Sequence, residues 1–188
     1  SIYYDTPRLN CFYEKADGDF IKTKVRLRWY EDCGTGCNTA FLEVKRKAGG
    51  SRRKNRIKLM LDHRWLMQTD LSDQGFVDLL QEHADIGELP PCGLAPVVDI
   101  RYRRYRFICP ATMVGVSLDT LIAVDRVNSL LIPGTSCENI CPVVIEVKGE
   151  RGRDDIPWIE RLYGAGFRSR SFSKYGECMS RLVGDEES

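Results

Sequence analysis

The stretch "KTKVRLRWY", Lys22 to Tyr30, separates into two alternating sets. Lys22, Lys24, Arg26 and Arg28 form one; Thr23, Val25, Leu27 and Trp29 form the other. Successive side chains of a strand point to opposite faces. The segment therefore predicts a strand with four cations on one face and a largely apolar opposite face. What the cations face decides both fold and function.

Neighbouring segments repeat the pattern. In "TAFLEVKRK" (Thr39–Lys47), Glu43, Lys45 and Lys47 alternate with Leu42 and Val44. In "RRKNRIKLML" (Arg52–Leu61), Lys54, Arg56 and Lys58 oppose Ile57, Leu59 and Leu61. With Gly-containing breaks between them, the three predict an antiparallel meander. Further strands are expected at Val97–Ile108, Gly115–Asp125 and Val143–Glu150. On these, Tyr102, Arg104 and Arg106 share a face, as do Ser117 and Asp119, and Glu146, Lys148 and Glu150.

Helices are few and short. "DHRWLMQ" is one; "SDQGFVDLLQEH" is another, with Ser72 as the expected N-cap. A third is expected over Ile156–Tyr163, entered at Pro157, and a last one from Ser173. No repeat, low-complexity tract or linker interrupts the chain, so residues 1–188 read as one α+β domain.

Composition is globular, at 43% hydrophobic and 29% charged. No apolar run approaches the roughly 20 residues of a transmembrane helix, and a cytoplasmic location is expected. Net charge is only +1, yet Lys22 to Lys58 carries 12 Lys/Arg against 3 Asp/Glu. That segregation creates a strong local field although the total nearly cancels. Two histidines and no Ser-His-Asp or Cys-His pattern argue against nucleophilic catalysis by the protein. Cys33, Cys37, Cys137 and Cys141 form two Cys-x-x-x-Cys pairs. They could hold zinc; free thiols of a reducing compartment are the plainer alternative.

For any single strand, a solvated polar face is the simplest account of the alternation. The three early strands, however, are almost purely cationic, and like charges on facing strands cost stability. A bound polyanion would offset that cost, and so would interleaved carboxylates. Interior and exterior residues also alternate along the strands of a barrel. If the cations point inward, the lumen is a basic tunnel and the helices cover the apolar outer face. Glu43, Asp119 and Glu146 would then form an acidic patch suited to Mg²⁺ or Mn²⁺. Trp29, on the face opposite the cations, counts against nucleic acid as the partner; Tyr102 is the one aromatic placed to stack on a base.

Seven segments in order carry a family resemblance: "YYDTP" (Tyr3–Pro7), "KVRLRWY" (Lys24–Tyr30), "FLEVKRK" (Phe41–Lys47), "YRR" (Tyr102–Arg104), "SLDT" (Ser117–Thr120), "IEVKG" (Ile145–Gly149) and "FSKY" (Phe172–Tyr175). The chain resembles the VTC domain of the vacuolar transporter chaperone polyphosphate polymerase and its bacterial relatives, within the triphosphate tunnel metalloenzyme (CYTH-like) superfamily.

The resemblance implies an antiparallel β-barrel tunnel with flanking short helices that takes ATP, another triphosphate or polyphosphate. It implies a divalent metal, Mn²⁺ or Mg²⁺, and phosphoryl transfer, most directly ATP-dependent polyphosphate synthesis. The alternatives are a triphosphatase or a non-catalytic polyphosphate or inositol-phosphate binder. Arg26 and Arg28 fall on the family's paired arginines, with Lys24 beside them. Lys45, Lys54, Arg56 and Arg104 fall on further basic positions, Lys148 beside the metal-binding glutamate at Glu146, and Lys174 on the lysine of the final segment. Two departures are expected to matter. The family's opening strand precedes "Y-x-D-T-P", whereas this sequence starts at Ser1. Polymerase members carry an arginine where this chain has Gly115.

Overall fold

The computed structural model describes residues 1–30, 39–110, 113–135, 143–148 and 158–184. The four cysteines considered for zinc lie outside the described residues, as does Pro157.

Seven antiparallel strands form one sheet curled into a half-barrel. In chain order they are β1 (Ile2–Asp5), β2 (Ile21–Trp29), β3 (Thr39–Ala48), β4 (Ser51–Met60), β5 (Ala95–Ile108), β6 (Gly115–Val127) and β7 (Val144–Lys148). Their spatial order is β4-β3-β2-β1-β5-β6-β7. Two meanders, β2-β3-β4 and β5-β6-β7, are thus joined through the four-residue β1. β4 and β7 end the sheet without pairing to each other among the described residues, so the sheet stays a half-barrel there.

The six segments expected as long strands all form, with ends within two residues of those expected; Gly149 and Glu150, expected in the last, lie outside the described residues. Hydrophobic alternation explains why. Val25 and Leu27 of β2, Leu42 and Val44 of β3, and Ile2 and Tyr4 of β1 are buried on one face. Leu66 of α2 (His63–Gln68) and Phe76 and Leu80 of α3 (Gln74–Glu82) cover them. Each such fully buried aliphatic contributes roughly 1.5–3 kcal/mol. Trp29 packs against this cluster, as expected for the face away from the cations.

Corrections fall at helix ends. Asp73, not Ser72, caps α3: its side chain accepts from Gly75 N at 2.9 Å. Ser72 instead donates its hydroxyl to Asp70 at 2.6 Å. α4 spans Ile159–Gly164, the expected start at Ile156 lying outside the described residues, and α5 runs from Lys174 to Gly184 with Ser173 Oγ accepting from Gly176 N at 3.1 Å.

One helix has no counterpart in the sequence reading. α1 (Asn10–Ala16) follows Leu9, whose φ of 55° is left-handed and whose side chain caps nothing. Asp5 does the capping from the end of β1, accepting from Cys11 N at 2.8 Å and Phe12 N at 2.9 Å. α1 and α5 together seal a second core, in which Tyr3, Phe12, Val98, Ile122, Val124, Tyr175, Cys178 and Met179 are buried.

Candidate anion-binding face

The cations of β2 meet β3 and β4 in register. Lys24 faces Lys45, which faces Lys54; Arg26 faces Glu43, which faces Arg56. One carboxylate therefore stands inside a field of cations, and it is buried, with 3% of its side chain exposed. Glu43 Oε2 accepts Arg26 Nε at 2.8 Å, and Glu43 Oε1 accepts Arg28 Nη2 at 2.9 Å. Lys54 Nζ lies 3.1 Å from the same Oε1.

A second carboxylate plays the same part on the other meander. Asp119 of β6 lies opposite Arg104 of β5. Arg104 donates from Nε to Oδ1 at 2.6 Å and from Nη2 to Oδ2 at 2.7 Å, a forked pair that favours arginine over lysine. Lys174, entering from α5, also donates to Oδ2. Burial alone pushes the carboxyl groups of Glu43 and Asp119 up. Arg26, followed by Arg28 and Lys54, outweighs it at Glu43; Arg104 and Lys174 outweigh it at Asp119. Both are held below the usual carboxylate range, and both side chains act here as counterions.

Glu146 differs from these two. It is 45% exposed, lies 3.3 Å from Lys148 Nζ and 3.6 Å from Arg104 Nη2, and sits opposite Ser117 on β6. Among the described residues no group of three or more His, Cys, Asp or Glu gathers as a metal cage.

The face also carries aromatic rings beneath its cations, a geometry that favours held guanidinium and ammonium groups. Arg56 lies 4.7 Å from the Phe41 centroid, and Lys174 and Arg104 lie 4.5 and 5.5 Å from that of Tyr102. Tyr30 stands between Arg28 at 5.1 Å and Arg106 at 5.5 Å, and its hydroxyl accepts from Arg106 Nη2 at 3.0 Å. Tyr30, 44% exposed, joins the two meanders at a cleft of about 760 Å³. Arg28, Tyr102, Arg104 and Arg106 line that cleft. Arg28 Nε is buried there without a hydrogen-bond partner among the described residues, an uncommon condition for a charged donor.

The predicted site residues therefore converge, but in two groups. Arg26, Arg28, Lys54 and Glu43 form one; Arg104, Lys174, Asp119 and Glu146 with Lys148 form the other. Lys45 and Arg56 are exposed beside the first. Lys24 bridges the two, its Nζ donating to Ser173 Oγ at 2.8 Å. Four contributors were not assigned to the site from sequence: Arg106, Ser173, Asp5 and Tyr175. Arg106 was legible, since it alternates with Arg104 and Tyr102. Ser173 and the Asp5–Tyr175 pair are joined only by folding, across 170 residues in the second case.

A VTC domain family model matches residues 1–183 of this chain. No curated protein matches it.

Proposed function

The chain belongs to the VTC domain family, whose function is polyphosphate-related, and from that premise we propose that its cationic face binds the phosphates of a nucleoside triphosphate or polyphosphate and promotes phosphoryl transfer. The observation that carries the reading is the unequal balance on that face. Glu43 and Asp119 are saturated by five cations between them, Arg26, Arg28, Lys54, Arg104 and Lys174. Lys45, Arg56 and Arg106 add charge beside them, and Arg28 Nε still lacks an acceptor among the described residues. A chain of phosphates supplies many anionic oxygens in the forked geometry that arginine reads.

Phosphoryl transfer asks the protein for positioning and charge neutralisation rather than a covalent role. Arg26, Arg28 and Arg104 would hold non-bridging oxygens, and Lys24, Lys45, Lys54, Arg56, Lys148 and Lys174 would extend the path. Glu146 fits a divalent cation best, because its half-exposed oxygens are the least committed of the three candidate carboxylates. A Mg²⁺ or Mn²⁺ ion held there with water and phosphate oxygens would neutralise charge at the transferred group. Glu43 and Asp119 remain with their guanidinium and ammonium partners and keep the empty face stable.

Gly115 favours a second reading, a binder without turnover. It lies opposite Lys148 and places no cation where polymerase members carry one. Incubation with ATP and Mn²⁺, with products resolved into phosphate, pyrophosphate and long chains, separates polymerase, hydrolase and binder. Stabilisation by single-stranded RNA but not by tripolyphosphate would overturn both readings.

A further inference from the structure

Three consecutive side chains at the start of α5 grip three strands. Ser173 accepts from Lys24 of β2, and Lys174 donates to Asp119 of β6. Tyr175 donates its hydroxyl to Asp5 Oδ2 at 2.7 Å and stacks on Tyr3 of β1 with ring centroids 5.2 Å apart and planes at 12°. Ser173 and Lys174 reach the cationic face directly. Tyr175 is buried, 3% exposed, against Tyr3 and Phe12.

We infer that Tyr175 is a positioning residue: its hydrogen bond to Asp5 sets where Lys174 stands against Asp119 and an incoming phosphate. The inference rests on the anion-binding reading above. The rest of the buried face of α5 is Cys178, Met179 and Leu182. Such apolar contacts are non-directional and tolerate a small rotation or slide. The phenol–carboxylate bond does not, because hydrogen bonds weaken steeply out of line.

Its acceptor is itself immobile. Asp5 also takes Thr6 N at 2.7 Å, Cys11 N at 2.8 Å and Phe12 N at 2.9 Å, so it cannot follow a helix that shifts. Burial, reinforced by Asp5, pushes the Tyr175 phenol well above its ordinary value, which keeps the donor proton in place. Lys174 lies one residue earlier, about 100° around the helix, so tying Tyr175 fixes the direction in which the ammonium leaves α5. The Tyr102 ring 4.5 Å from Nζ rewards that direction.

Tyr175→Phe keeps the stacked ring and removes one bond. Calorimetry with inorganic tripolyphosphate is run on the wild type, Y175F, K174M and the double variant. Each single variant is expected to bind about tenfold more weakly, and the double variant no more weakly than K174M. The side-chain ammonium resonance of Lys174 in NMR spectra, assigned by its loss in K174M, is expected to move in Y175F without any ligand. Additive losses in the double variant, or an unmoved resonance, overturn the positioning role and leave anion binding standing. Failure of the wild type to bind tripolyphosphate overturns the anion-binding reading instead; a moved resonance then upholds the positioning of Lys174 by itself.

Discussion

Arg104 and Asp119 sit directly opposite each other on β5 and β6 and close a two-bond fork at 2.6 and 2.7 Å. Asp119 exposes 1% of its side chain and also receives Lys174. Removing Asp119 leaves Lys174 without its carboxylate and Arg104 with only the longer contact to Glu146, at 3.6 Å. Asp119→Ala is therefore expected to lower unfolding free energy by about 3–5 kcal/mol, read from urea titration. The two readings of Asp119 then part company. As a counterion it competes with phosphate, so Asp119→Asn should bind tripolyphosphate more tightly than wild type. Weaker binding, confined to samples containing Mn²⁺, would instead make it a metal ligand.

Acid should destabilise the fold through these same carboxylates. Glu43 and Asp119 both have lowered folded values, so their contribution is complete above the unfolded carboxylate value of about 4. It is lost as pH falls from there through the folded values. Unfolding free energy measured from pH 6 to pH 2.5 should drop in that window. Glu43→Gln and Asp119→Asn should start lower and fall less. A parallel drop in both variants would place the acid-sensitive groups elsewhere.

Tripolyphosphate should raise the melting temperature of the wild-type protein, because a ligand of the native state stabilises it by mass action. The shift should shrink with added salt, as expected where charges meet near solvent. Arg28→Lys should reduce it most among single Arg→Lys changes, since lysine cannot supply the unpaired Nε–H and the Nη2–H donated to Glu43 together. An equal loss from Arg101→Lys, whose Nη2 pairs with Asp125 at 3.0 Å, would argue against this site.

Glu146→Ala should remove the extra stabilisation that Mn²⁺ adds to tripolyphosphate while sparing the metal-free shift. Thermal melts with and without Mn²⁺ separate the two contributions. An unchanged Mn²⁺ increment would take the metal away from Glu146.

Gly115 is open to substitution. A Cβ built there meets only the Lys148 carbonyl oxygen, at 3.6 Å, an ordinary contact. Gly115→Arg should therefore fold with an unchanged midpoint within about 1 kcal/mol. It should also tighten tripolyphosphate binding by adding a cation near Lys148. Looser binding would show that the position does not face the ligand.

The strands were legible where two-residue alternation holds, as at Val25 and Leu27 of β2 and Ile145 and Val147 of β7; β5 breaks it at the buried Val97–Ile100 run and at two register shifts. The cationic face was legible for the same reason, down to the residues that share it. What sequence did not disclose is pairing across chain distance. Glu43 and Asp119 read from sequence as members of an acidic patch; the register is what sets Arg26 and Arg104 beside them. α1 was hidden because its cap is remote: Leu9 offers no polar atom, and the capping carboxylate belongs to Asp5. Ser72 misled because Asp73, one position on, accepts as well as a serine does.

β1 is four residues long, yet among the described residues it is the only strand that both meanders touch, and Asp5 at its end meets Tyr175 across 170 residues. Loop-closure entropy is spent before contacts of such separation are gained, so they form late. The Glu43 group can assemble within one meander, from neighbours at most a few dozen residues apart. The Asp119 group is completed by Lys174, and so waits for α5, the last of the described helices. On the proposed reading, a chain still lacking α5 would present only the Glu43 half of the face to a polyanion.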